Sequence, residues 1–323
     1  MHHELMARTT SGALAPVEAL DDQAREYMGG AKADHTVKAY RSDWEDFRQW
    51  CAAYGLASLP AEPKTVARYM TARTTTVKVS TLQRRLSSIN QAHEAKGYDR
   101  FSVRTEPLKS VWAGIRRSKG VAQQGKAPAV TADIKAMVAQ LPDTVLGVRD
   151  RALLLLGFAG AFRRSEIVSL TVADIQFGND GLTIHLRRSK TDQEGRGRKI
   201  GIPYGSHRET CPVRSLQAWL EGSGIAEGPI FRAVNRHGHI QAGALSDKAV
   251  ALIVKRWAEA AGLDPTRYAG HSLRAGLATA AAQAGVSERV IMAQTGHKSL
   301  EMVRRYIREG SLFRENAAAE VGL

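Results

Sequence analysis

The sequence predicts a mainly α-helical protein of two domains, a helical first domain and an α-rich second domain with a small antiparallel β insert. Apolar residues recur at spacings of three and four through most of the chain, the period of a helix with one buried face. Strict alternation occurs in one place, where Leu182, Ile184 and Leu186 alternate with Thr183, His185 and Arg187 before Ile200 and Ile202 alternate again. A basic stretch without apolar period, from Arg116 to Ala129, divides the chain, and 323 residues exceed what one small core accommodates.

Residues 1–18 are small, polar and aperiodic and are expected to form a mobile tail, with order resuming near Ala24. The first domain then spans residues 19–117. Val37, Tyr40, Trp44, Phe47, Trp50 and Cys51 place one amphipathic helix between His35 and Tyr54, ended by Gly55. A second helix starts after Pro63. A third starts at Ser80-Thr81-Leu82 with Leu82, Leu86, Ile89 and His93 on one face, and Val111, Trp112 and Ile115 mark a fourth.

Residues 118–129 read as an interdomain linker. Gly120 to Ala127 nearly spells a nucleotide-phosphate loop, but Ala127 stands where a magnesium-binding Ser or Thr is needed and Pro128 follows at once, so no nucleotide is expected. In the second domain, residues 130–310, the apolar run Ala152 to Phe162 reads as a buried helix, too short at 11 residues to cross a bilayer. Gly195 and Gly197 put a loop between the two strands. Helices follow at Arg214 to Leu220, Leu245 to Ala261, Ser272 to Ala284, Ser287 to Gln294 and Leu300 to Arg308, with Ser287 and Ser299 as N-caps and Gly262, Gly285 and Gly310 near their ends. Residues 311–323 carry Leu312, Phe313, Val321 and Leu323 among good helix formers and predict a short C-terminal docking helix.

Forty-six Lys and Arg against 32 Asp and Glu give a formal charge of +14 and an isoelectric point near 10.0, a balance that favours a polyanionic partner, with nucleic acid first. Cys51 and Cys211 stand alone and far apart, which excludes a disulfide framework or a zinc ribbon and fits a reducing cytoplasm. The polar start at Met1-His2-His3-Glu4 has no apolar core behind it, so neither export nor a membrane partner is expected.

The chemistry concentrates near the C-terminus. His271 and Arg274 stand three apart on a helix and share a face, while Tyr306 follows His297 by nine residues on the next periodic segment. Arginine forks onto the nonbridging oxygens of a phosphate, imidazole moves protons near neutrality, and a phenol can attack phosphorus, so the combination predicts phosphodiester cleavage through tyrosine. Taken singly, Tyr306 fits a core position better, since it shares helical spacing with Leu300, Val303 and Ile307.

The motifs Arg163-Arg164-Ser165-Glu166, Ser189-Lys190-Thr191, His271-Ser272-Leu273-Arg274-Ala275-Gly276, Thr295-Gly296-His297-Lys298-Ser299 and Tyr306 appear in the order of the tyrosine recombinases, and the chain resembles the lambda-integrase superfamily. The resemblance covers the second domain from about residue 130. The first domain is more loosely similar to the core-binding domain of Cre and Xer-type recombinases. It implies a site-specific DNA recombinase that exchanges strands between two sites of duplex DNA as a homotetramer joined through C-terminal helices, with no metal or other cofactor.

It further implies catalytic roles for Arg163, Lys190, His271, Arg274, His297 and Tyr306. The spacing to Glu166, as a supporting acid, selects Arg163 over Arg164, and Lys190 becomes the general acid for the leaving 5′ oxygen. His297 becomes a hydrogen-bond donor to the phosphate, departing from the tryptophan of Cre. Arg84 and Lys248 match base-reading positions, and Gln83 and Arg236 join them as candidate DNA contacts. Two alternatives share many of these features: a type IB topoisomerase that relaxes supercoils, and a non-catalytic DNA-binding module.

Overall fold

The computed structural model describes residues 20, 23, 34–120, 125–187, 197–297 and 299–310. The chain divides into two compact units, Met1–Gln123 and Gln124–Leu323.

The first unit contains α1 (Asp34–Ala53), α2 (Pro63–Arg73), α3 (Val79–Glu94) and α4 (Leu108–Lys119). Gly55, at φ +63°, ends α1 where the amides of Tyr54 and Leu56 turn back to the Cys51 carbonyl, a left-handed position that glycine takes without strain. Phe47, Trp50, Val66, Tyr69, Met70, Leu82, Leu86, Ile89, Leu108, Trp112 and Ile115 form its core, with Phe47 and Tyr69 edge-on at 4.9 Å between ring centres. His93 is buried as a neutral ring: its Nε2 accepts the Ala61 amide (2.9 Å), which leaves Nδ1–H to donate to the Ile89 carbonyl (2.9 Å).

The second unit opens with α5 (Thr131–Ala139) and α6 (Val145–Ala159), whose residues 152–156 are buried on every side, as the uninterrupted apolar run requires. The short α7 (Arg164–Ser169) leads to a three-stranded antiparallel sheet of β1 (Ile175–Phe177), β2 (Gly181–Leu186) and β3 (Arg198–Pro203) in the order β1-β2-β3. Register pairs Leu182 with Ile202 and Ile184 with Ile200, so the alternating apolar residues share the buried face. Next come α8 (Pro212–Ser223), the hairpin β4 (Arg232–Val234) and β5 (Ile240–Ala244), α9 (Asp247–Ala260), α10 (His271–Gln283), α11 (Glu288–Thr295) and α12 (Leu300–Gly310).

A buried ion pair joins Arg149 to Asp150 at 2.6 Å. Asp150 also accepts from the Trp257 indole (2.8 Å) and Arg149 donates to the Arg232 carbonyl (3.3 Å), so α6, α9 and β4 are tied with every charge partnered. Gly276 on α10 lies so close to Ala129 that a Cβ there would sit 1.8 Å from the Ala129 carbonyl oxygen.

Several sequence expectations need correction. Ser118 and Lys119, read as linker, close α4, and the end of the same stretch is bound into the second unit: Ala127 and Ala129 donate their amides to Arg267 and Ser272 (2.8 and 2.9 Å), and Ala129 is fully buried. Strand β1 and the β4–β5 hairpin went unread, because three residues are too few to show alternation and β5 is Ile-Gln-Ala-Gly-Ala, largely exposed and poor in β-branched side chains. Ser287 holds the N-cap position of α11, but its side chain makes no capping bond. The tail 1–18, the predicted docking helix 311–323 and the loop around Lys190 lie outside the described residues.

Candidate active site

The site is assembled by α7, the start of α10, the turn after α11, and α12. Between α6 and α7 the chain passes through Gly160-Ala161-Phe162. Ala161 is buried at φ +49°, a left-handed conformation that costs an L-residue about 1 kcal/mol. Its carbonyl accepts Nη1 of Arg274 (2.8 Å), so the strained residue anchors an arginine.

Arg163 caps α7. Its amide donates to Oε2 of Glu166 (2.9 Å), and its guanidinium makes a close charge-assisted pair with Oε1 of the same carboxylate. Glu166 is 2% exposed and turns both carboxylate oxygens to Arg163.

Arg274 is 1% exposed. Its Nη2 is buried without a hydrogen-bond partner among the described residues, and burial, reinforced by the nearby Arg163 charge, draws its pKa down to about 10. That nitrogen is a buried donor for which no acceptor stands among the described residues.

His271 begins α10, and its Nε2 lies 3.1 Å from the Tyr306 hydroxyl on α12. Desolvation, followed by Arg274, Arg163 and Arg164, holds its pKa below the ordinary histidine value, so the ring is neutral at pH 7. With its proton on Nδ1 such a ring accepts from the phenol. Tyr306 is 8% exposed and packs among Ala275, Ala278, Ala282, Ile291 and Val303, so its ring is a core group while its hydroxyl reaches the cationic cluster.

His297 follows Gly296, the left-handed residue (φ +66°) that ends α11, and its ring centre is 5.8 Å from that of Tyr306. Its Nδ1 is 2.7 Å from Oγ1 of Thr295, which is also 2.7 Å from the Ile291 carbonyl. A hydroxyl has one proton. It goes to the carbonyl, so Nδ1–H donates to Oγ1 and Nε2 is the nitrogen left for other contacts. Burial, then Arg274, Arg163, His271 and Arg198, lowers the His297 pKa to about 4.

Arg198 is a member of this cluster that sequence reasoning passed over. It stands at the start of strand β3, where it shares a face with Ile200 and Ile202. That period-two position was the available signal for an inward-facing cation.

The structure brings together Arg163, Glu166, His271, Arg274, His297 and Tyr306; Lys190 lies outside the described residues. The candidate base readers lie on both units. Gln83 and Arg84 are on α3 of the first unit, where Arg84 forks through Nε and Nη2 onto buried Asp43 (2.7 and 3.0 Å) with 48% of its side chain exposed. Lys248 is exposed in the first turn of α9, and Arg236 is exposed at the tip of the β4–β5 hairpin, donating through Nε to His237 (3.0 Å).

Residues 130–311, more than half of the chain, match the phage integrase family. The chain belongs to that family. An integrase/recombinase XerD homolog of Selenomonas ruminantium is 44% identical over 307 residues, covering 93% of this chain and 89% of that protein. Recombinase Cre of Escherichia phage P1 is 26% identical over 322 residues, covering 91% of each. Among solved structures, lambda integrase (residues 75–356) bound to DNA superposes with a TM-score of 0.61 over 93% of this chain and 97% of that one, at 19% identity, a likeness of fold. This member of the phage integrase family is thus a tyrosine recombinase, an enzyme of site-specific DNA recombination.

Proposed function

We propose that this recombinase cleaves and rejoins duplex DNA through a 3′-phosphotyrosyl intermediate on Tyr306. The observation that carries the reading is the Tyr306 hydroxyl, 3.1 Å from a neutral His271, beside the buried and unpartnered Nη2 of Arg274.

Arg163, aimed by Glu166, and Arg274 bind the nonbridging oxygens of the scissile phosphate and neutralise charge that grows in the pentavalent transition state. His271 takes the phenolic proton as Oη of Tyr306 bonds to phosphorus. The P–O5′ bond breaks, and Lys190 protonates the departing 5′ oxygen. A 5′ hydroxyl from the partner site then attacks the phosphotyrosine, restoring the phosphodiester and the phenol. Bond energy is conserved in the ester, so no nucleotide or metal is required.

His297 holds the phosphate through Nε2. Because its Nδ1 proton is committed to Thr295, donation from Nε2 requires the imidazolium, which an anionic phosphate beside it favours. Gln83, Arg84, Arg236 and Lys248 contact the DNA flanking the cleavage point, and the +14 charge supplies its sequence-independent attraction. Four protomers join two sites by exchanging residues 311–323, in a bacterial or phage-infected cytoplasm.

The test is Tyr306→Phe on a nicked suicide substrate: DNA binding persists and the denaturation-resistant protein–DNA adduct disappears. An adduct formed by that variant removes Tyr306 as the nucleophile.

A further inference from the structure

Arg198 lies at the start of β3, opposite Leu186 of β2, and reaches away from the sheet to the end of α11. Its Nη1 donates to the carbonyls of Gln294 (2.9 Å) and Ala293 (3.4 Å), and its Nη2 meets that of Thr295 at 3.5 Å. These carbonyls belong to the last turn of a helix, where acceptors lack intrahelical donors and the helix dipole favours a cation. The next residue, Gly296, is pressed against the same guanidinium: a Cβ there would stand 2.9 Å from Cζ of Arg198. The residue after that is His297.

Arg198 makes no ion pair with a carboxylate among the described residues, and desolvation outweighs the attraction of Glu166, so its pKa falls below the ordinary arginine value. An arginine held largely out of solvent by carbonyls alone is a costly way to end a helix, since a Gly at the left-handed position already terminates α11. The same helix end is secured a second time by Gln294, whose Nε2 donates to Ala159 (2.8 Å) and Gly201 (3.3 Å). Termination therefore does not require Arg198. What Arg198 adds is a fixed direction for the turn that delivers His297, and a further positive charge beside it.

We propose that Arg198 is a positioning residue for the proposed reaction: its guanidinium sets the Gly296–His297 turn so that Nε2 of His297 meets the phosphate. The inference rests on the phosphotyrosyl reading above. An ammonium cannot span three carbonyls, so Arg198→Lys retains the charge but loses the placement.

The experiment measures single-turnover adduct formation on a suicide substrate for wild type, Arg198→Lys, Arg198→Met, His297→Ala and the Arg198→Met/His297→Ala double variant. Filter binding of the same DNA and the imidazole NMR titration of His297 accompany it. Arg198→Met slows adduct formation at least tenfold with DNA affinity within about threefold of wild type, and adds nothing to His297→Ala in the double variant. In Arg198→Lys the His297 titration midpoint moves upward and the rate is only partly restored. Rates that multiply independently in the double variant, or an unmoved His297 midpoint in Arg198→Lys, overturn the proposal. If Arg198→Met does not fold, the Arg198→Lys titration decides alone. Wild type that forms no adduct at all defeats the phosphotyrosyl reading instead.

Discussion

Replacing Arg274 by Met should separate folding from chemistry. The guanidinium is 1% exposed, and its pKa of about 10 means that keeping it charged at pH 7 costs the native state about 3 kcal/mol. Against this stands the hydrogen bond to the Ala161 carbonyl (2.8 Å), whose loss leaves a buried acceptor unmet at about 1–3 kcal/mol. Methionine has a comparable unbranched reach and refills most of the volume. The two contributions nearly cancel, so urea denaturation of Arg274→Met should give a stability equal to wild type or up to about 2 kcal/mol higher, while the adduct on a suicide substrate disappears. Inorganic sulfate should raise the unfolding midpoint of wild type, by binding the folded state only, and leave that of the variant unmoved. A loss of more than about 3 kcal/mol in Arg274→Met would refute the reasoning and make the arginine a structural strut rather than an anion receptor.

Lys190→Ala should be rescued on a substrate with a 5′-bridging sulfur, whose thiolate leaves without a general acid; equal impairment on both substrates removes that role. Acid should destabilise the second unit through its histidines. The native pKa values of His271 and His297, the latter about 4, lie below the unfolded value of about 6.5. The unfolded chain therefore binds more protons, and this stability is complete above pH 6.5 and lost as pH falls toward 4. His297→Gln should flatten that part of the urea-midpoint profile by up to roughly 3 kcal/mol, and an unchanged slope contradicts the assignment. Gly276→Ala drives a Cβ to 1.8 Å from the Ala129 carbonyl oxygen and should cost more than about 3 kcal/mol by calorimetry. Gly114→Ala, on an exposed position of α4 with nothing within 4 Å of the new Cβ, should stabilise by about 0.5–1 kcal/mol.

Residue order by itself determined most of the helices, the buried face of the β2–β3 pair, and which residue types are the candidates for the chemistry, though the short helices α5 and α7 went unread. Each is a local property: Leu82, Leu86 and Ile89 declare a buried face through their spacing, and His271 and Arg274 share a helix turn whatever surrounds them. Only the tertiary structure decided what each cation meets. Arg84 and Arg198 look alike in the sequence, as members of basic runs, yet one forks onto Asp43 and the other onto the last carbonyls of α11. The left-handed Ala161, the tautomer of His297, and the meeting of Tyr306 with His271 across 35 positions were equally unreadable. Hydrogen bonds and charge interactions act over ångströms between segments far apart in the chain, and periodicity reports which face is buried without naming its partner.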